Sequence, residues 1–189
     1  RDQEDIPGFR AVWAQHFPVE PATTIIATAT PGFIIPESRI EINTIALAKD
    51  GKTAKQVVAP IPPLFQGGTT AIRAGDLLFI SGLMAFDGSG LAAEASADPR
   101  QPYFSSFAEA PAEVIIGNIE KLCTAAGTSL SNVVRVLQFH TDLAEFYPVA
   151  KVWERRLKGR PIPFSAVEVP APLPVPGASL LIEAWVYAP

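Results

Sequence analysis

Residues 69–83 read TTAIRAGDLLFISGL. The run 69–73 is rich in Thr and Ile, Gly75-Asp76 is turn chemistry, and 77–81 is a second apolar run. This is the pattern of a β-hairpin. Gly82 and a second turn, Asp87-Gly88, follow it. Further along, 109–126 predicts an amphipathic helix, with Val114, Ile115, Ile119, Leu122 and Ala126 on one stripe and Gly127 as its stop. Residues 133–139 read as a buried strand. Asp142 is placed to cap a helix that carries Phe146, Val149, Trp153 and Leu157. Two more strands, 164–169 and 179–187, flank a Pro-rich crossing. The predicted order is β-β-α-β-α-β-β, an α+β arrangement with helices packed on one face of a sheet.

Composition narrows the function classes. The 189 residues are 48% apolar and 18% charged, which is globular rather than disordered. A net charge of −4 without a Lys/Arg cluster disfavours a nucleic-acid partner. One cysteine, Cys123, allows no intrachain disulfide, and two histidines make a structural zinc site a poor expectation. No apolar run reaches the ~18 residues of a membrane span. With no secretory leader recognised, the expectation is a cytoplasmic protein without cofactor, metal, nucleic acid or membrane partner.

The start of the chain resembles its end. Residues 5–17 predict a short helix, and 23–29 and 39–48 predict strands, closed by the turn Lys49-Asp50-Gly51. Val12-Trp13 matches Val152-Trp153, Pro21 matches Pro161, Pro36 matches Pro176, and Ile40-Glu41 matches Ile182-Glu183. Element type, order and spacing agree, as in an internal repeat. Residues 1–50 then read as the back half of one unit, 51–66 as a linker, and 67–189 as a complete second unit. Two expectations stand for the missing β-β-α-β: another polypeptide, such as a second chain cut from the same precursor, supplies it, or it belongs to residues left out of this sequence.

The second unit resembles the Rid family (YjgF/RidA, enamine/imine deaminases). The resemblance rests on residues 74–82, AGDLLFISG; on Asn118-Ile119-Glu120-Lys121-Leu122 and 125–130; on 133–136 and Phe139; on Thr141-Asp142-Leu143; on 165–169, SAVEV; and on Ile182-Glu183-Ala184. It implies a chorismate-mutase-like subunit in a trimeric or pseudo-trimeric ring, homo- or hetero-oligomeric, with active sites in clefts between neighbours. It also implies hydrolysis of reactive imines, with an arginine gripping the substrate carboxylate. In this sequence Phe164 stands at that arginine position and Thr23 at its counterpart in the first repeat.

The site residues follow from that resemblance. Glu183 is the expected catalytic base, with Glu41 as its first-repeat counterpart. Ser81, Leu83, His140, Ala144, Phe164 and Ala166 are the expected substrate-binding set. With a ring in place of the guanidinium, the substrate is expected to be a small apolar imine, enamine or related intermediate, handled by hydrolysis or by proton-transfer isomerisation or cyclisation. The opposing expectation is a Rid-like ligand-binding or structural subunit that has lost catalysis.

Overall fold

In a computed structural model of the protein, the described residues are 2–28, 37–48, 53–96, 100 and 108–189. Among these residues three α-helices and six strands form: α1 (Ile6–His16), β1 (Lys55–Val58), β2 (Ala71–Ala74), β3 (Leu77–Leu83), α2 (Glu109–Ala125), β4 (Val133–His140), α3 (Phe146–Arg156), β5 (Phe164–Glu168) and β6 (Leu180–Tyr187). The predicted hairpin is β2–β3. It turns at Gly75, whose φ of 60° lies in the left-handed region that glycine tolerates best. Asp142 caps not α3 itself but the single 3-10 turn Leu143–Glu145 that leads into it, its Oδ1 accepting from the Ala144 N–H at 2.9 Å, while α3 starts after Glu145.

The strands form one sheet in the order β1-β2-β3-β6-β4-β5. All neighbours are antiparallel except β4 and β5. β6 is central, hydrogen-bonded to β3 on one side and to β4 on the other. Side chains alternate across a strand, so β6 sends Ile182, Ala184 and Val186 to one face and Leu181, Glu183 and Trp185 to the other. Helix α2 covers the first face, where Ile115, Ile116, Ile119 and Leu122 pack against Leu78, Ile80, Val136 and Ile182. Val149, Val152 and Trp153 of α3 join the same core. On the opposite face a smaller cluster gathers Met84, Phe139, Val169, Leu173, Val175 and Leu181.

Two features differ from the sequence reading. The stretch read as a linker contains β1, which pairs with β2 from Lys55↔Ala74 to Val58↔Ala71. An unpaired β2 edge and a Val-rich run satisfy each other's backbone groups, so the run is drawn into the sheet. Residues 23–28 and 39–48, read as strands, form none. A β-rich run becomes a strand only against a hydrogen-bonding neighbour, and 39–48 has no ladder partner among the described residues. Pro36 and the 49–51 turn lie outside the described residues.

Ile119 is fully buried between α2 and the sheet. Ile119→Ala should lower the free energy of unfolding by about 3 kcal/mol, as large-to-small changes in closed cores do; denaturant titration of the two proteins measures it.

Candidate functional site

The residues expected to form one pocket occupy three places. The first is the Ser81-Gly82 stretch of β3, at the register shift of that strand against β6, where it passes under the N-terminal segment. The Ser81 hydroxyl donates to the Thr69 carbonyl and accepts the Thr23 N–H at 3.0 Å. The Gly82 N–H donates to the Thr23 carbonyl at 3.3 Å. Gly82 is required here by close approach, because a Cβ would lie 2.9 Å from Leu181 Cδ2 and 3.0 Å from Thr24 Cγ2. Ser81, Leu83 and Thr23 are thus brought together around a small cavity.

Two residues that the sequence reading missed line the same cavity. Arg10 on α1 pairs with Glu20 through two hydrogen bonds, Nη1 to Oε1 at 2.8 Å and Nη2 to Oε2 at 3.0 Å. Its guanidinium also lies 4.4 Å over the Phe65 ring and donates to the Gln66 carbonyl. An arginine therefore reaches the cavity, but a buried carboxylate already holds its fork. Nothing in local sequence pairs positions 10 and 20; the helix and the turn after it have to fold first.

The second place is the end of β4 and β5 on the helix-covered face. Phe164 is in register with Val136 and stacks on Phe146 at 5.3 Å. Ala166 is opposite Gln138, and His140 follows two residues on. His140 and Gln138 are fully buried, and none of their side-chain polar atoms finds a partner among the described residues. Burial pushes the His140 imidazole below its ordinary pKa, with Asp142 opposing more weakly. His140 is therefore buried and without a side-chain hydrogen bond among the described residues. Phe164 itself is 47% exposed on the outer strand of the sheet.

The third place is the opposite face. Glu183 accepts a 2.6 Å hydrogen bond from Arg135 Nη1, and that guanidinium lies 4.5 Å over the Trp185 ring. Arg135 and Glu183 meet because β4 and β6 are neighbours, a pairing across 48 residues of chain. Glu183 and Phe164 lie on opposite sides of the sheet, so the expected pairing of ring and base does not form within one chain. The open-face residue of β6 that touches the Ser81-Gly82 stretch is Leu181, not Glu183. Ala144 is exposed at the start of the turn before α3, and Glu41 is exposed and accepts from Asn43 Nδ2. Cys123 is buried in α2, where desolvation pushes its thiol up to about 12, so it supplies no thiolate nucleophile. Among the described residues no group of His, Cys, Asp and Glu is arranged to hold a metal.

The family model described as Endoribonuclease L-PSP matches residues 66–188, which contain every element from β2 to β6. The chain belongs to this family. It is the Rid family of the sequence resemblance. A RutC family protein, y4sK of Sinorhizobium fredii, is 34% identical over 84 residues, which are 44% of this chain and 58% of that protein. RidA from an Antarctic Psychrobacter species has the same fold with a TM-score of 0.56 and 29% identity, over 70% of this chain and 98% of that one. The yeast protein YEO7 gives a TM-score of 0.59 and 25% identity, over 72% of this chain and all of that one. No helix among the described residues is long and apolar enough to cross a membrane.

Two outcomes follow for this Rid unit. Ser81→Ala removes the acceptor for the Thr23 N–H; amide exchange at Thr23 should accelerate about fivefold, as expected for a lost hydrogen bond of about 1 kcal/mol. Hydrogen-exchange NMR reads it directly. The second concerns pH. His140 has a folded pKa below the ordinary 6.5, so the unfolded chain takes up its proton first. Stability is full above pH ~6.5 and falls as the pH drops below it. Denaturation midpoints between pH 5 and 8 should show this slope, and His140→Val should flatten it.

Proposed function

We propose that this protein is a Rid-type subunit without imine-hydrolysing activity in the cleft it forms with itself, serving as a ligand-binding or structural member of a hetero-oligomer. The carrying observation is that the Ser81-Gly82 stretch of β3 is covered by the N-terminal segment. The Ser81 hydroxyl gives its one proton to the Thr69 carbonyl and accepts the Thr23 N–H, and Leu181 and Thr24 fill the space over the glycine. A cleft that activates water needs a free carboxylate within hydrogen-bond reach of the substrate. Leu181 stands at this stretch instead, while Glu183 is held by Arg135 on a different part of the face. Arg10, the one cation at the cavity among the described residues, is neutralised by Glu20.

A second reading retains chemistry at another cleft. Phe164 is exposed on β5 and continuous with Phe146, so it offers an aromatic wall that a neighbouring subunit would complete. In that ring arrangement an apolar imine or enamine intermediate, rather than an α-imino acid, stacks on Phe164. Glu183 acts as base for hydrolysis, isomerisation or cyclisation. The acidic net charge of the chain opposes an RNA substrate.

The two readings separate in one assay. Imines generated in place by an amino-acid oxidase should be hydrolysed no faster with the protein than without it. Efficient turnover of small α-imino acids would overturn both readings. Turnover confined to bulky apolar imines, lost in Glu183→Gln, would establish the second.

A further inference from the structure

We propose that His140 is a pH-sensitive latch: protonation of its buried imidazole draws Glu168 away from the Leu143 N–H, opens the 3-10 turn Leu143–Glu145 and loosens the aromatic wall of Phe146 and Phe164. The inference goes beyond the structural-subunit reading and does not depend on it. It starts from a polar side chain that the core leaves unpaired. His140 is fully buried at the end of β4, and neither ring nitrogen has a hydrogen-bond partner among the described residues. A neutral imidazole tolerates that setting far better than an imidazolium, which brings a charge and a second N–H donor.

The groups around His140 decide what its protonation does. On β5, Glu168 is its ladder partner, and Glu168 Oε2 accepts the Leu143 N–H at 3.0 Å. On the turn, Asp142 Oδ1 accepts the Ala144 N–H at 2.9 Å, and Glu145 Oε2 accepts the Ser179 hydroxyl at 2.8 Å. β6 places the apolar Leu180 opposite His140. α3 sets the Phe146 ring edge-on to the imidazole at 6.3 Å. The charged side chains of α3 are committed elsewhere: Lys151 lies over the Tyr147 ring, Glu154 is exposed, and Arg155 and Arg156 pair with Glu109, Glu113 and Glu120 of α2. Lys121 of α2 donates to Asn118. The three carboxylates at this end of the sheet therefore each clasp the turn.

A competition follows. An unpaired imidazolium is not sustained in this core, so it must recruit a carboxylate. Glu168 is the candidate in register with it, and a carboxylate turned to the imidazolium no longer accepts from Leu143. The turn then loses a clasp. Phe146 carries the change outward, because it is the first residue of α3 and its ring lies against both His140 and, at 5.3 Å, Phe164. Phe164 is 47% exposed, so the altered surface is one that a neighbouring subunit or an apolar ligand meets. Burial holds the imidazole below its ordinary value of 6.5, with Asp142 opposing more weakly. The closed form is thus neutral and prevails above that pH, and the open, protonated form gains as the pH falls below it.

The test is NMR on the full chain between pH 7.5 and pH 5, with carbon-13 in the histidine and phenylalanine rings. Three changes should share one midpoint. The His140 Cε1–H resonance titrates; amide protection at Leu143, corrected for the intrinsic pH dependence of exchange, falls about tenfold or more; and the Phe146–Phe164 ring cross-peak is lost. Protection in α2 and along the β3–β6 ladder stays unchanged. His140→Leu, which puts an apolar side chain in this apolar site, should hold the Leu143 and ring readouts at their pH 7.5 values. Glu168→Gln keeps an amide oxygen for the Leu143 N–H but no charge for the imidazolium, and should move the midpoint to lower pH. Should His140→Leu not fold, Glu168→Gln decides alone. An imidazole still neutral at pH 5, a titrating His140 with an unmoved turn, pH dependence that persists in His140→Leu, an unmoved midpoint in Glu168→Gln, or loss of protection throughout the sheet overturns the proposal.

Discussion

The period-two alternation of β6 governs what this molecule can do. As the central strand, β6 cannot shift its register by one residue without turning Ile182, Ala184 and Val186 out of the core under α2. Burying those three side chains fixes Leu181, Glu183 and Trp185 on the other face. Glu183 consequently sits with Arg135, while Leu181 takes the position against the Ser81-Gly82 stretch. The chemistry of the open face is thus a by-product of packing on the helical face. A carboxylate two residues away in sequence is in a different electrostatic setting.

The N-terminal segment adds a second constraint. Residues 23 and 24 lie directly on Ser81 and Gly82, an approach possible only because residue 82 has no side chain. Ile26 extends the contact into the cluster around Phe139 and Leu181. The same contacts that anchor the first 28 residues cover the stretch that an open cleft would need. Anchoring and catalysis compete for the same donors: a hydroxyl that gives its one proton to the Thr69 carbonyl has none to donate to a substrate. The ion pair of Arg10 with Glu20 follows the same logic, since a bidentate fork engaged by a buried carboxylate has no second fork to offer.

His140 and Gln138 show how a polar pair is carried inside the helical face. Strand alternation places both beneath α3 and α2, where no hydrogen-bond partner meets them among the described residues. Unpaired buried polar groups oppose folding by about 1–3 kcal/mol each. The core of Ile, Leu and Val around them is extensive enough to hold the strand in register against that cost.

The fold was legible in the sequence because its signals are local. Gly75-Asp76 between two apolar runs makes a hairpin, the 115/119/122 stripe makes a helix with one buried side, and Asp142 caps the turn after β4. Strand formation at 55–58 was not legible, because a four-residue Val-containing run becomes a strand only where an open edge waits for it. Nor was it legible that 39–48 forms no strand, since that depends on which neighbours the segment meets. The residue types of the candidate site, including the phenylalanine at position 164 and the glutamate at 183, were fixed by the sequence alone. Their separation onto two faces, the arginines that reach Glu183 and Glu20, and the burial of Ser81 were decided only by the tertiary structure. The reason is distance along the chain: partners 48 or 58 residues apart leave no periodic trace, and meet only once the sheet order has been set.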